Sequence, residues 1–256
     1  MSIIMRDMNR IKLKTLGMSL MSGAFALGMF VEAQAAVQRT ESISVLNGTS
    51  LQPVKYVLYV PDVRPGETLP VFVATHGLAV DPSIFLKPEW IQFAERERFA
   101  ILGLGFTFVE ADWPKKRSYQ FADVWSGGAL DTILEEVAQE HPVNIQELYL
   151  YGVSAGAQFS SRYAFLHPDT VKAATLHSAG WYDYPQDYIP TRFLLTVGAL
   201  DNTEISRVDF ARRFYERAKR RGIDVSLHIV PDVPHYQTPE QDEMSRVFLS
   251  QSRQEK

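Results

Sequence analysis

The sequence contains no cysteine. Counting alone therefore excludes a disulfide framework, a thiolate nucleophile, an iron–sulfur cluster and cysteine-ligated zinc, whatever compartment the chain occupies. Excess positive charge is missing too. The 26 Lys and Arg stand against 30 Asp and Glu, a formal net charge of −4, so a basic nucleic-acid groove is not the main working surface. There is no internal repeat, low-complexity block or long Gly/Ser linker. What is present, 256 residues of which 46% are hydrophobic, is enough to bury a substantial core in one or two domains.

One apolar run approaches membrane-spanning length, TLGMSLMSGAFALGMFV from Thr15 to Val31. Arg6, Arg10, Lys12 and Lys14 precede it, and Ala33 and Ala35 follow in A-x-A spacing. A positive n-region, an apolar h-region and a small-residue cleavage site make residues 1–35 a secretory signal peptide, cut after Ala35. Ser and Gly interrupt the run, which favours cleavage over a retained anchor. Removing the four cations with Asp7 and Glu32 takes the formal charge from −4 to −6 and leaves residues 36–256 as one domain. The expected product is exported and not inserted in the membrane, periplasmic in a Gram-negative cell and otherwise secreted. Met8 would also serve as a start, since a complete signal still follows it.

In the remaining chain, apolar runs alternate with amphipathic ones, the pattern of an α/β architecture. Strands are expected at 55–61, 69–77, 99–106, 147–154, 171–179, 192–200 and 225–233, with an edge strand at 43–47. Several are continuously apolar, as in central strands covered on both faces. Leu130, Ile133, Leu134 and Val137 form one stripe of a helix, and a second helix runs from about Glu204 to Gly222. The arginines from Arg212 to Arg221 suit the negative end of that second helix and a solvated face, a simpler reading than a polyanion site.

The strand ELYLYG runs into Gly152-Val153-Ser154-Ala155-Gly156, and an amphipathic segment follows. G-x-S-x-G between strand and helix places the serine on a sharp turn, where the residues two before and two after must be small. A helix N-terminus beneath Ser154 favours negative charge developing nearby. A serine hydroxyl needs a base, and the base an orienting acid, in the chain order Ser, Asp or Glu, His. Asp201 stands after the apolar run RFLLTVGAL, at the strand edge where active-site groups collect. Asp183 is the second choice of acid. His76, His141, His167 and His177 come too early or follow helices, and His228 falls inside a strand with its side chain packed. His235, in VPDVPHYQTPE, alone lies in a loop after both serine and acid.

An oxyanion hole would take its N–H groups from Ala155, which follows the nucleophile, and from Leu78, after Gly77 in VFVATHGLA. His76 is expected to brace that loop near the substrate. Trp181 and Tyr182, just past a strand end, are expected to line the acyl or alcohol site. Trp113 and Trp125 flank a connection, 107–127, that could form a small lid or pocket wall.

On these residues the chain resembles the α/β-hydrolase superfamily from Lys55 to about Val247. ALDTILEEVAQEHPVNIQELYLYGVSAGAQFSSRYAFLHPDTVKAATLHSAG is similar to the extracellular polyhydroxybutyrate depolymerase and feruloyl esterase group. The resemblance implies a mostly parallel sheet with helices on both faces and little or no cap. It also implies nucleophile, acid and base at Ser154, Asp201 and His235, with Ala155 and Leu78 as oxyanion donors. Asn144 where aspartate is common, the V-P-H-Y setting of the histidine and the missing cysteines depart from that group. The implied activity is hydrolysis of a small or polymeric carboxylic ester without metal or organic cofactor. A peptide or thioester substrate for the same triad, or an exported binding or secretion-accessory protein with a relic triad, are the alternatives.

Overall fold

A computed structural model describes residues 34–48, 50–78, 81–202 and 205–254. The signal segment read at 1–35 therefore lies outside the described residues, except for Gln34 and Ala35. Eight strands form one sheet: β1 (Val37–Asn47), β2 (Ser50–Val60), β3 (Leu69–Thr75), β4 (Ala100–Phe106), β5 (Val143–Val153), β6 (Val171–His177), β7 (Arg192–Gly198) and β8 (Val225–Val230). Their spatial order is β1-β2-β4-β3-β5-β6-β7-β8. β1 and β2 pair antiparallel and β2 meets β4 antiparallel, while every pairing from β4 to β8 is parallel.

The continuous apolar runs divide by parity, because successive side chains point to opposite faces. Val71, Val73, Leu148 and Leu150 face the helices α2 (Gly127–Glu140), α3 (Ala155–Leu166) and α4 (Arg207–Arg220). Phe72, Ala74, Tyr149 and Tyr151 face α1 (Pro88–Glu97) and α5 (Pro239–Gln254). Two apolar cores thus sandwich the sheet.

Four strands end earlier than their apolar runs suggest. β3 stops at Thr75, β6 at His177, β7 at Gly198 and β8 at Val230. Their last apolar residues leave the ladder and become the loops that build the site. His228, expected to be packed, is exposed: β8 lies at one edge of the sheet, beyond β6 and β7, on which α5 packs. The helix read from Glu204 begins at Arg207 and ends as expected, with Gly222 at φ 74 and the Ile223 N–H bonded to the Ala218 carbonyl at 3.1 Å. Arg217, Arg220 and Arg221 at this end border a cavity of about 400 Å³ with Pro185 and Gln186. Among the described residues no helix is long and apolar enough to cross a membrane.

Candidate active site

Ser154 sits between β5 and α3 with φ 53 and ψ −112, a backbone region that L-residues seldom occupy. Close packing enforces this turn. A Cβ on Gly152 would stand 2.5 Å from the Gly156 carbonyl, and one on Gly156 would stand 2.5 Å from the His76 carbonyl. The Ser154 N–H is tied to the His177 carbonyl at 2.7 Å, and its own carbonyl accepts from Ala157 at 3.1 Å. The side chain is thereby aimed out of the sheet edge rather than into the core.

Ser154 Oγ lies 3.1 Å from His235 Nε2, and His235 Nδ1 lies 2.9 Å from Asp201 Oδ2. The Asp201 side chain is fully buried, whereas that of His235 is 39% exposed. These are the serine of the G-x-S-x-G turn and the aspartate and histidine picked out by chain order. Asp183, the second choice, is engaged elsewhere by Arg162. The loop bearing His235 reaches Asp201 because β7 ends in glycine: a Cβ on Gly198 would stand 2.6 Å from the Val233 carbonyl carbon and 2.7 Å from the Pro234 oxygen. The Leu200 N–H then bonds the Val233 carbonyl at 2.9 Å.

One partner was missed by the sequence reading. Arg207 Nη1 lies 3.0 Å from Asp201 Oδ1, with the arginine side chain only 14% exposed. A signal existed: a cation in the first turn of a helix opposes the macrodipole, so it needs a local carboxylate.

Ala155 is the first residue of α3, so its N–H belongs to the unpaired first turn. Gly77, just before Leu78, packs against Ser154, since a Cβ there would stand 3.4 Å from the serine Cβ. The Leu78 side chain is 45% exposed. His76 is buried, its Nδ1 against the Gly77 carbonyl, and its own carbonyl accepts from the Tyr119 hydroxyl at 3.3 Å. Burial pushes its imidazole below the usual value. Its side chain therefore braces the loop from inside and does not open on a cleft.

Trp181 and Tyr182 part company, as adjacent residues in an extended chain do. Trp181 is 44% exposed and rests on Phe210, ring centroids 5.1 Å apart. Tyr182 is buried and packs on Phe214 at 5.0 Å, so its expected place as a lining residue is corrected to the core. Trp125 likewise is buried against Phe106, while Trp113 pairs with Phe121 within the 107–127 connection. Among the described residues no group of His, Asp and Glu is arranged to hold a metal ion.

This arrangement of sheet, elbow and strand-end loops is the α/β-hydrolase fold. Comparison with solved structures bears this out. The chain is similar to poly(aspartic acid) hydrolase-1 from Sphingomonas sp. (TM-score 0.60, 20% identity, 82% of this chain and 98% of that one). It is equally similar to a poly(3-hydroxybutyrate) depolymerase from Bordetella parapertussis (TM-score 0.60, 22% identity, 86% and 90%). A ferulic acid esterase from the anaerobic fungus Anaeromyces mucronatus gives a TM-score of 0.62 at 13% identity, over 88% of this chain and 92% of that one. No family model and no curated protein matches the sequence.

Proposed function

We propose that this chain is an exported serine hydrolase of carboxylic esters. The observation that carries the reading is the continuous hydrogen-bonded line Ser154–His235–Asp201, with the serine held at φ 53 on its turn. Ser154 Oγ attacks the ester carbonyl while His235 Nε2 takes its proton. Buried Asp201 holds the imidazole with Nδ1–H towards the carboxylate and stabilises the imidazolium that forms. The N–H groups of Ala155 and Leu78 take the oxyanion. His235 returns the proton to the departing alkoxide, and a water activated by the same imidazole then attacks the acyl-enzyme carbonyl and frees the acid.

The names of the depolymerase and the ferulic acid esterase support an ester as the substrate class. Export rests on the n-region, h-region and A-x-A order of residues 6–35. The test is hydrolysis of p-nitrophenyl acetate and butyrate, with fluorophosphonate labelling mapped by mass spectrometry. Ser154→Ala is expected to abolish both turnover and label. A folded wild type that neither turns over nor labels would favour the relic-triad alternative, and a preference for thioester or amide panels would move the substrate class.

A further inference from the structure

A second histidine lies behind the first. His177, the last residue of β6, is fully buried, and burial pushes its imidazole down to about 3, so it is neutral under working conditions. Its main-chain carbonyl is the acceptor that holds the Ser154 N–H. Its ring meets Thr196 of β7 through Nδ1 and Ser245 of α5 through Nε2, the latter at 2.8 Å.

One unambiguous donor, together with an acceptor for every hydroxyl proton, sets the direction of each bond. The Thr238 N–H bonds Gln241 Oε1 at 3.0 Å, so the amide must turn its Nε2 towards Thr196 Oγ1, 2.9 Å away. Thr196, accepting there, has its own proton free for His177 Nδ1. Ser245 Oγ gives its proton to the Gln241 carbonyl at 3.0 Å, so it accepts from His177 Nε2–H. The circuit closes as Gln241 to Thr196 to His177 to Ser245 and back to Gln241, with each polar atom satisfied and the imidazole proton on Nε2.

We propose that this buried ring makes His177 a positioning residue that keeps nucleophile and base in register. The proposal rests on the triad reading above. Each arm of the triad has a tie to the ring: Ser154 through the His177 carbonyl, Asp201 through β7, which carries Thr196, and the His235 loop through Thr238. The same loop is pinned a second time by Gln237 Nε2 on Asp242 Oδ1 at 2.9 Å, and Tyr151, whose ring lies 4.9 Å from that of His177, bonds the same oxygen at 2.5 Å. A neutral imidazole suits this place because it offers one donor and one acceptor on opposite edges. A protonated ring would turn an N–H on Thr196 from Nδ1 and so leave the threonine's own proton without its acceptor.

Thr196→Val keeps the shape and removes the hydroxyl, and Gln241→Leu cuts the ring at the base loop. Both are expected to lower kcat about 10- to 100-fold, the scale of a misplacement of about 1 Å, with KM within about twofold. The rate of fluorophosphonate labelling should fall in step, and Thr196→Ser should restore kcat. Independently of any variant, ¹⁵N shifts of the wild-type protein should show His177 as the Nε2–H tautomer, unchanged between pH 5 and 8. Folded Thr196→Val and Gln241→Leu with wild-type kcat would overturn the proposal, as would an Nδ1–H or titrating His177. Activity surviving Ser154→Ala would instead overturn the triad reading itself.

Discussion

Arg207 Nη1 stands 3.0 Å from Asp201 Oδ1, the carboxylate oxygen that His235 does not use. A fully buried carboxylate is thus divided between a permanent cation and the imidazole of His235. Removing one member of a buried ion pair leaves its partner uncompensated. Arg207→Met is expected to cost about 3 kcal/mol of folding stability, measured by urea unfolding, with Arg207→Lys losing less. A loss too small to measure would show that the pair contributes nothing.

Gly198 lets the backbone at Val233 and Pro234 cross the end of β7. Gly198→Ala drives a Cβ into that backbone, which has no flexible end to yield. The displaced His235 should reduce kcat/KM by about 100-fold or more. Gly128→Ala is the contrasting control: its Cβ meets nothing within 4 Å on helix α2, so stability should rise by about 0.5–1 kcal/mol. Matching losses in the two variants would refute the crossing argument.

Burial lowers the imidazoles of His177, His76 and His141 in the folded protein. Unfolded imidazoles take up protons near 6.5, so the unfolded state is favoured as pH falls through that value. For His177 the loss continues to about 3. Asp242, raised by burial, acts in the opposite sense but is one group against three. Tyr56, Tyr119, Tyr151 and Tyr163 are raised by burial, so their contribution is complete below about 10 and lost above it. Urea midpoints should therefore be lower at pH 5 and above pH 10 than at pH 7 to 8. A midpoint that is flat from pH 5 to 8 would contradict the histidine argument.

Trp181→Ala should change KM for bulky esters while lowering stability by less than about 1 kcal/mol, because the side chain is half exposed. Tyr182→Ala should cost about 3–5 kcal/mol, the scale of emptying an aromatic site in a core. Reversed stability effects would place Tyr182 in the cleft and Trp181 in the core.

The elbow is legible because its cause is local: Gly152 and Gly156 flank Ser154 within five residues, and the steric demand for small residues is written at those positions. The parallel sheet is legible for a similar reason, since continuous apolar runs need two covered faces. Asp201 and His235 could be picked out only by chain order. The place of Arg207 in the first turn of a helix hinted at a carboxylate partner but not at which one, and His177 could not be seen as more than a strand end, because their partners are chosen by packing. The ring reaches Ser245, 68 residues along the chain. His228 and Tyr182 were misplaced because periodicity tells which residues alternate, not which strand lies at an edge or which face a loop residue takes after leaving the ladder.

By itself, then, the amino-acid order determined the absence of thiol chemistry, the α/β alternation, the serine turn and the succession of serine, aspartate and histidine along the chain. These depend on composition, local sterics and spacing along one chain. Only the tertiary structure decided that Asp201 is shared between Arg207 and His235, that Gly198 admits the His235 loop and that a neutral His177 ties the strand ends to α5. Each of those is a contact between segments brought together by the burial of apolar faces, and its geometry exists only once the sheet has formed beneath it.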